Sequence, residues 1–273
     1  MFPHCWSVCA SERRKASLGT LLWTALIVLA ALGSAGSASA EIRKHADKTA
    51  EVDTEHMFGF TEGSDIGEAG ETELEADSTG RFGKLGGSYN NVATAVEAKY
   101  SFSEWFRLSA VATVAYYDIT GVNGIDDRRQ GALQSVSFDA RFRLFDRELI
   151  AGRLFAALNI SYEPEQTRLR GSGETLREST LGVAAALAMQ VMPGVFIGAE
   201  ARNLRHYEGL GLNAFAGQAL YIGPTLYATF GQGYFLSAAW NVQVWGAVAG
   251  TSGALDLDNF ERHQVKLRAG FSF

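Results

Sequence analysis

From Glu71 to the C-terminus, apolar residues recur at every second position. Val136, Phe138, Ala140, Phe142 and Leu144 share one face, while Ser137, Asp139, Arg141 and Arg143 share the other. The same alternation sets Leu181, Val183, Ala185, Leu187, Met189 and Val191 against the small Gly182, Ala184, Ala186 and Ala188. A period of two is that of a strand with two unlike faces. It predicts strands near 71–77, 91–100, 106–118, 132–145, 153–163, 176–191, 195–207, 218–229, 234–246 and 263–273. Short links (101–105, 146–148, 192–194, 231–233) alternate with long ones (78–90, 119–131, 164–175, 208–217, 247–262). Two places strain the pattern. Pro224 inside the eighth strand predicts a bulge or a strand start. The first strand has only Thr72, Leu74 and Ala76 for its apolar side, and an added pair, from 56–66 or elsewhere, would raise the count from ten to twelve.

Alternation alone does not separate a soluble sandwich from a membrane barrel, because both put apolar side chains on one face. The N-terminus adds the missing information. Arg13-Arg14-Lys15 is a basic start, Leu18 to Leu32 is apolar but short for a membrane helix, and Gly33 to Ala40 is a run of small residues ending in Ala38-x-Ala40. These are the three regions of a cleaved signal peptide, so residues 1–40 are expected to be removed. Both cysteines, Cys5 and Cys9, leave with it, and no disulfide framework or thiolate chemistry remains. Of 24 Lys+Arg and 30 Asp+Glu, the segment holds Arg13, Arg14, Lys15 and Glu12, so the net charge moves from −6 to −8. An acidic chain of this kind argues against nucleic acid as a partner. Beyond residue 40 no stretch is long and apolar enough for a membrane helix. A closed ladder of strands needs none.

The last nine residues, Val265-Lys266-Leu267-Arg268-Ala269-Gly270-Phe271-Ser272-Phe273, carry a resemblance. They resemble the closing strand of Gram-negative outer-membrane β-barrels, in which a terminal aromatic is an assembly signal. Phe58-Gly59-Phe60-Thr61-Glu62-Gly63-Ser64-Asp65-Ile66-Gly67-Glu68, Gly80-Arg81-Phe82-Gly83-Lys84 and Gly253 to Gln264 are similar to segments of a group of proteobacterial outer-membrane proteins that carries no known activity. The resemblance implies an all-β, antiparallel transmembrane barrel of about ten strands in the cell outer membrane. It also implies outer-membrane lipid and the barrel assembly machinery as partners, and Phe271 and Phe273 as the assembly signal. Aromatics near strand ends, among them Tyr100, Trp105, Phe106, Tyr162, Phe230 and Tyr234, suit the two interfacial girdles. The domain reading is then signal 1–40, an acidic polar segment 41–68, and a barrel 69–273. The polar segment reads as a solvated periplasmic leader, or alternatively as a plug or acidic binding segment. Ten acids lie from Glu51 to Asp77, with no Lys or Arg among them.

If the apolar face meets lipid, the other face lines the lumen. Its ionisable residues in strands two to ten are Glu97, Lys99, Arg107, Asp139, Arg141, Arg143, Glu200, Arg202, Lys266 and Arg268, seven bases against three acids. The first strand adds Glu71, Glu73, Glu75 and Asp77. Charges in a narrow space are costly unless paired or wet. The expected arrangement is therefore a charge-paired lumen, with Glu73 and Glu75 facing Lys266 and Arg268 where the first and last strands meet; individually solvated charges in a water-filled pore are the other arrangement. The expected function is a structural barrel or a narrow, porin-like passive channel for small solutes. The alternative is a surface-exposed hydrolase with a rim site drawn from His206, His263, Asp126, Asp127, Asp256 and Asp258. No motif marks a nucleophile, a phosphate loop or a zinc site, so no catalytic residue, cofactor or metal is assigned.

Overall fold

The computed structural model describes residues 54–63, 65–142, 153–168, 175–231, 233–251 and 253–273. The expected signal peptide and Arg143 lie outside them. The described residues form ten strands: β1 (Thr72–Phe82), β2 (Ser88–Ser103), β3 (Phe106–Thr120), β4 (Arg128–Phe142), β5 (Leu154–Arg168), β6 (Thr175–Met192), β7 (Val195–Glu208), β8 (Phe215–Phe230), β9 (Tyr234–Val248) and β10 (His263–Ser272). They make one curled antiparallel sheet in the order β4-β3-β2-β1-β10-β9-β8-β7-β6-β5. The terminal strands are therefore neighbours in its middle, with Glu75 opposite Gly270 and Asp77 opposite Arg268. Glycine in the left-handed region turns the chain at Gly194, where φ is 74°.

The two faces of the sheet differ as the alternation requires. Val96, Leu108, Val114, Leu187, Leu226 and Leu267 stand exposed on the convex side. Residues of the other parity, among them Glu75, Lys99, Arg107, Ser109 and Arg268, are buried on the concave side. In water so large an apolar surface would drive association. In a bilayer it is the favoured surface, and between neighbouring strands the backbone polar groups are taken up by the ladders. Ala140, opposite Leu108, belongs to the lipid side, and Ser137, opposite Val111, to the lumen. Ala140→Arg should cost about 2–4 kcal/mol near the midplane, and Ser137→Arg less. Refolding titrations check this, and equal losses would contradict the facing.

Pro224 does not start a strand. It stays inside β8, paired with Ala199 of β7, while the ladder to β9 lapses over Gly223 and Pro224. Pairing resumes at Thr225 opposite Ala239 in the same register, and the register shift lies instead between Leu220 and Tyr221. A local gap tolerates the missing N–H without ending the strand. Residues 56–66 add no strands, so twelve is not reached among the described residues.

Candidate functional site

The concave face is filled from both ends. On the side of the short turns, residues 54–66 enter the sheet as an irregular segment. Their described part is no solvated leader: Glu55, His56, Met57, Phe58, Thr61 and Ile66 are all at most 2% exposed. Met57 and Phe58 pack with Phe155, Phe196, Tyr227 and Phe235, whose rings also point inward. The segment folds back on itself, with the Gly63 N–H donating to the Glu55 carbonyl at 3.1 Å. A Cβ on Gly63 would lie 1.9 Å from the Thr54 carbonyl oxygen, and one on Gly59 would lie 2.0 Å from the Ala239 Cβ of β9. Glycine is what lets the segment close on itself and touch the wall.

Its polar groups are held by side chains of the lumen. Glu200 accepts from the Phe60 and Thr61 N–H groups at 3.0 and 2.9 Å and from Asn241 at 2.5 Å. Asn159 accepts from the Glu62 N–H at 2.7 Å and donates to the Glu62 carbonyl at 3.0 Å. Ser101 donates to the Ile66 carbonyl at 2.5 Å. Arg202 lies over the Phe60 ring at 4.0 Å, with Lys266 at 5.6 Å. A buried extended segment must place its backbone groups somewhere, and here the lumen side chains supply many of the partners.

The charges form one network. Glu55 contacts both terminal nitrogens of Arg107, Arg141 at 3.1 Å and Lys99 at 3.3 Å. Lys99 also reaches Glu73 at 2.8 Å and Glu75 at 2.5 Å. Arg268 meets Glu75 at 2.8 Å, Asp77 at 3.2 Å and Glu62 at 3.0 Å, while Lys266 meets Asp77 at 2.9 Å. His56 stacks on Phe235 at 4.3 Å, with Glu73 at 3.0 Å from Nε2 and Arg268 at 2.9 Å from Nδ1. Lys99 Nζ also lies 3.4 Å from Nε2 and Glu75 3.5 Å from Nδ1, so each ring nitrogen faces both a cation and a carboxylate. Among the described residues the network holds five acids (Glu55, Glu62, Glu73, Glu75, Asp77) and five bases (Lys99, Arg107, Arg141, Lys266, Arg268). Burial alone would raise the Glu55 carboxyl, but His56, Lys99 and Arg107 beside it hold it well below its ordinary value of 4.5.

Of the expected lumen residues, the fold brings Glu73, Glu75, Lys99, Arg107, Arg141, Lys266 and Arg268 together. Glu200 and Arg202 face the inserted segment outside this network. Asp139 is exposed near the free edge of β4, and Glu97 is half-buried. Glu55, His56, Phe60 and Glu62 were not among the expected site residues. The spacing of Glu55, His56 and Glu73 would suit a metal ion. However, the Lys99 ammonium lies 3.3, 3.4 and 2.8 Å from them and already supplies a cation.

On the side of the long links, the 249–262 connection folds inward. Asp256 is fully buried, and its backbone pairs with the Gln243 amide in both directions at 2.9 and 2.8 Å. Its carboxylate accepts from the Asn259 N–H at 3.0 Å and from Nδ2 at 2.9 Å. The Tyr221 hydroxyl donates to the Glu261 carbonyl at 2.5 Å. His206 lines a cavity of about 270 Å³ with Glu163, Glu165 and Glu178. His263 stands beside Trp240, with ring centres 6.0 Å apart. Asp126, Asp127 and Asp258 are exposed.

The chain belongs to DUF6662, a family of unknown function, whose model matches residues 50–145 and 124–273. No curated protein matches the sequence. The fold is similar to that of the COG4313 outer membrane channel from Pseudomonas putida F1, at a TM-score of 0.53 and 9% identity, over 82% of this chain and 100% of that one. The translocator domain of the autotransporter NalP from Neisseria meningitidis matches at a TM-score of 0.44 and 13% identity, over 76% of this chain and 90% of that one. The fold is that of an outer-membrane β-barrel, and the exposed apolar face fits it to the outer membrane.

Proposed function

We propose that the protein is a narrow passive channel of the outer membrane, held closed by its own residues 54–66. The observation that carries this reading is the insertion of that segment, with Glu55 and Glu62 paired to lumen bases. The fold shared with a solved channel agrees with it. Charge pairing across the lumen keeps the closed state neutral and the barrel filled. Phe271 and Phe273 serve as the signal to the barrel assembly machinery. Phe273 bonds Thr72 of β1 through its backbone at 2.9 and 3.1 Å, so its deletion should depress insertion in cells far more than stability in vitro. Normal cellular insertion without Phe273 would contradict that role. The rim hydrolase gains no support from the positions of Asp256, His206 and His263.

The test of the channel is conductance in planar bilayers with the full mature chain and with Gly59→Val. The added side chain meets Ala239 where no space exists, so the segment cannot seat. Wild type should pass small currents and the variant several-fold larger ones. Equal currents would refute closure by this segment.

A further inference from the structure

Arg107 and Arg141 are direct cross-strand partners on β3 and β4, both on the lumen face. Like charges placed opposite each other on a sheet repel. Here a single carboxylate joins them. Both terminal nitrogens of Arg107 grip Glu55, one at 2.5 Å, and Arg141 Nη1 meets Oε1 at 3.1 Å. Among the described residues, the carboxylates in ion-pair contact with these two arginines are Glu55 and Glu62, and both belong to the inserted segment. The strands supply the other acids of the network, and those sit on Lys99, Lys266 and Arg268. When the segment leaves, three acids of the network face five bases, and the arginine pair loses the carboxylates in direct contact with it, with Glu73 and Glu97 left as the strand acids that act on Arg107.

We propose that the Arg107–Arg141 pair is a binding site for the carboxylate of a passing organic anion, and that Glu55 occupies it in the closed state as a built-in competitor. The forked geometry of guanidinium matches a carboxylate bidentately. With residues 54–66 in place Arg107 is 3% exposed and Arg141 is half-buried, so both guanidinium groups sit inside the sheet rather than at its rim. A solute carboxylate that takes the place of Glu55 relieves the repulsion and favours the open state. The site thus couples solute arrival to opening, and it gives the open channel an anion preference.

This proposal rests on closure by residues 54–66, and the experiment separates the two. The full mature chain is reconstituted in planar bilayers as wild type, Glu55→Ala, and Glu55→Ala with Arg107→Met and Arg141→Met. Glu55→Ala should conduct more than wild type, and its reversal potential in a potassium chloride gradient should move toward that of chloride. Added propionate, a small monocarboxylate, should reduce the chloride current of Glu55→Ala at a concentration about tenfold lower than in the triple variant. A Glu55→Ala current no larger than wild type would refute the closure itself. A larger current with equal propionate sensitivity in both variants would leave closure intact and overturn the carboxylate site. If Glu55→Ala refolds poorly in chloride, refolding yield becomes the reading. Propionate should raise it in the single variant and not in the triple one, and an equal response would again overturn the site.

Discussion

Arg268→Gln should destabilise the folded barrel by about 3–5 kcal/mol, the range for removing one partner from a buried ionic group. Arg268 is 5% exposed and serves Glu75 at 2.8 Å, Asp77 at 3.2 Å, Glu62 at 3.0 Å and His56 Nδ1 at 2.9 Å. Glutamine reaches none of them with charge, so the buried Glu75 and the half-buried Glu62 are left with fewer partners. Glu75→Gln should also hurt, because Lys99 and Arg268 then lose a shared counter-ion. The double variant Glu75→Gln/Arg268→Gln should be more stable than the sum of the two losses predicts. Recovery should be partial, since Asp77 and Glu62 still lack Arg268. A double-mutant cycle by urea-driven refolding measures the coupling. Simple additivity would contradict an ionic join between β1 and β10.

That join illustrates what alternation can and cannot convey. Strand positions and facing were legible because a sheet with one face in lipid forbids a slip of one residue. The same parity puts Glu73, Glu75, Lys266 and Arg268 on the concave face, where Glu75 lies 2.8 Å from Arg268. Glu73 instead meets Lys99 and His56, and Lys266 meets Asp77. Antiparallel register sets those choices: Asp77, not Glu73, is opposite Arg268. The inserted segment was harder to read. It has no period, because its backbone bonds run to Glu200 and Asn159 rather than to a ladder. Its burial depends on bases more than 40 positions away in sequence. One signal did exist. Seven bases against three acids in strands two to ten left an excess of positive charge. The acid-only run from Glu51 to Asp77 supplies the complement, partly through β1 and partly through Glu55 and Glu62.

The closed state should survive moderate acid and open only in strong acid. Burial pushes the Glu55 carboxyl up, but His56, Lys99 and Arg107 outweigh it and hold the group well below 4.5. A depressed folded value means that the stabilisation is fully present above about 4.5 and disappears as pH falls through the depressed value. Glu62, among Arg268, Lys266 and Arg141, is likewise held below its ordinary range despite burial, so it acts in the same direction. Conductance should therefore stay low from pH 8 down to about 4.5 and rise below that, as protonated Glu55 releases two facing arginines. His56 touches the same carboxylates and must be separated from them. His56→Gln offers a donor and an acceptor without titrating in this range. An opening in acid that persists in His56→Gln, with its midpoint moved toward higher pH, assigns the transition to the carboxylates. A rise in conductance already between pH 7 and 5, abolished by His56→Gln, would move the control of opening from Glu55 to the imidazole.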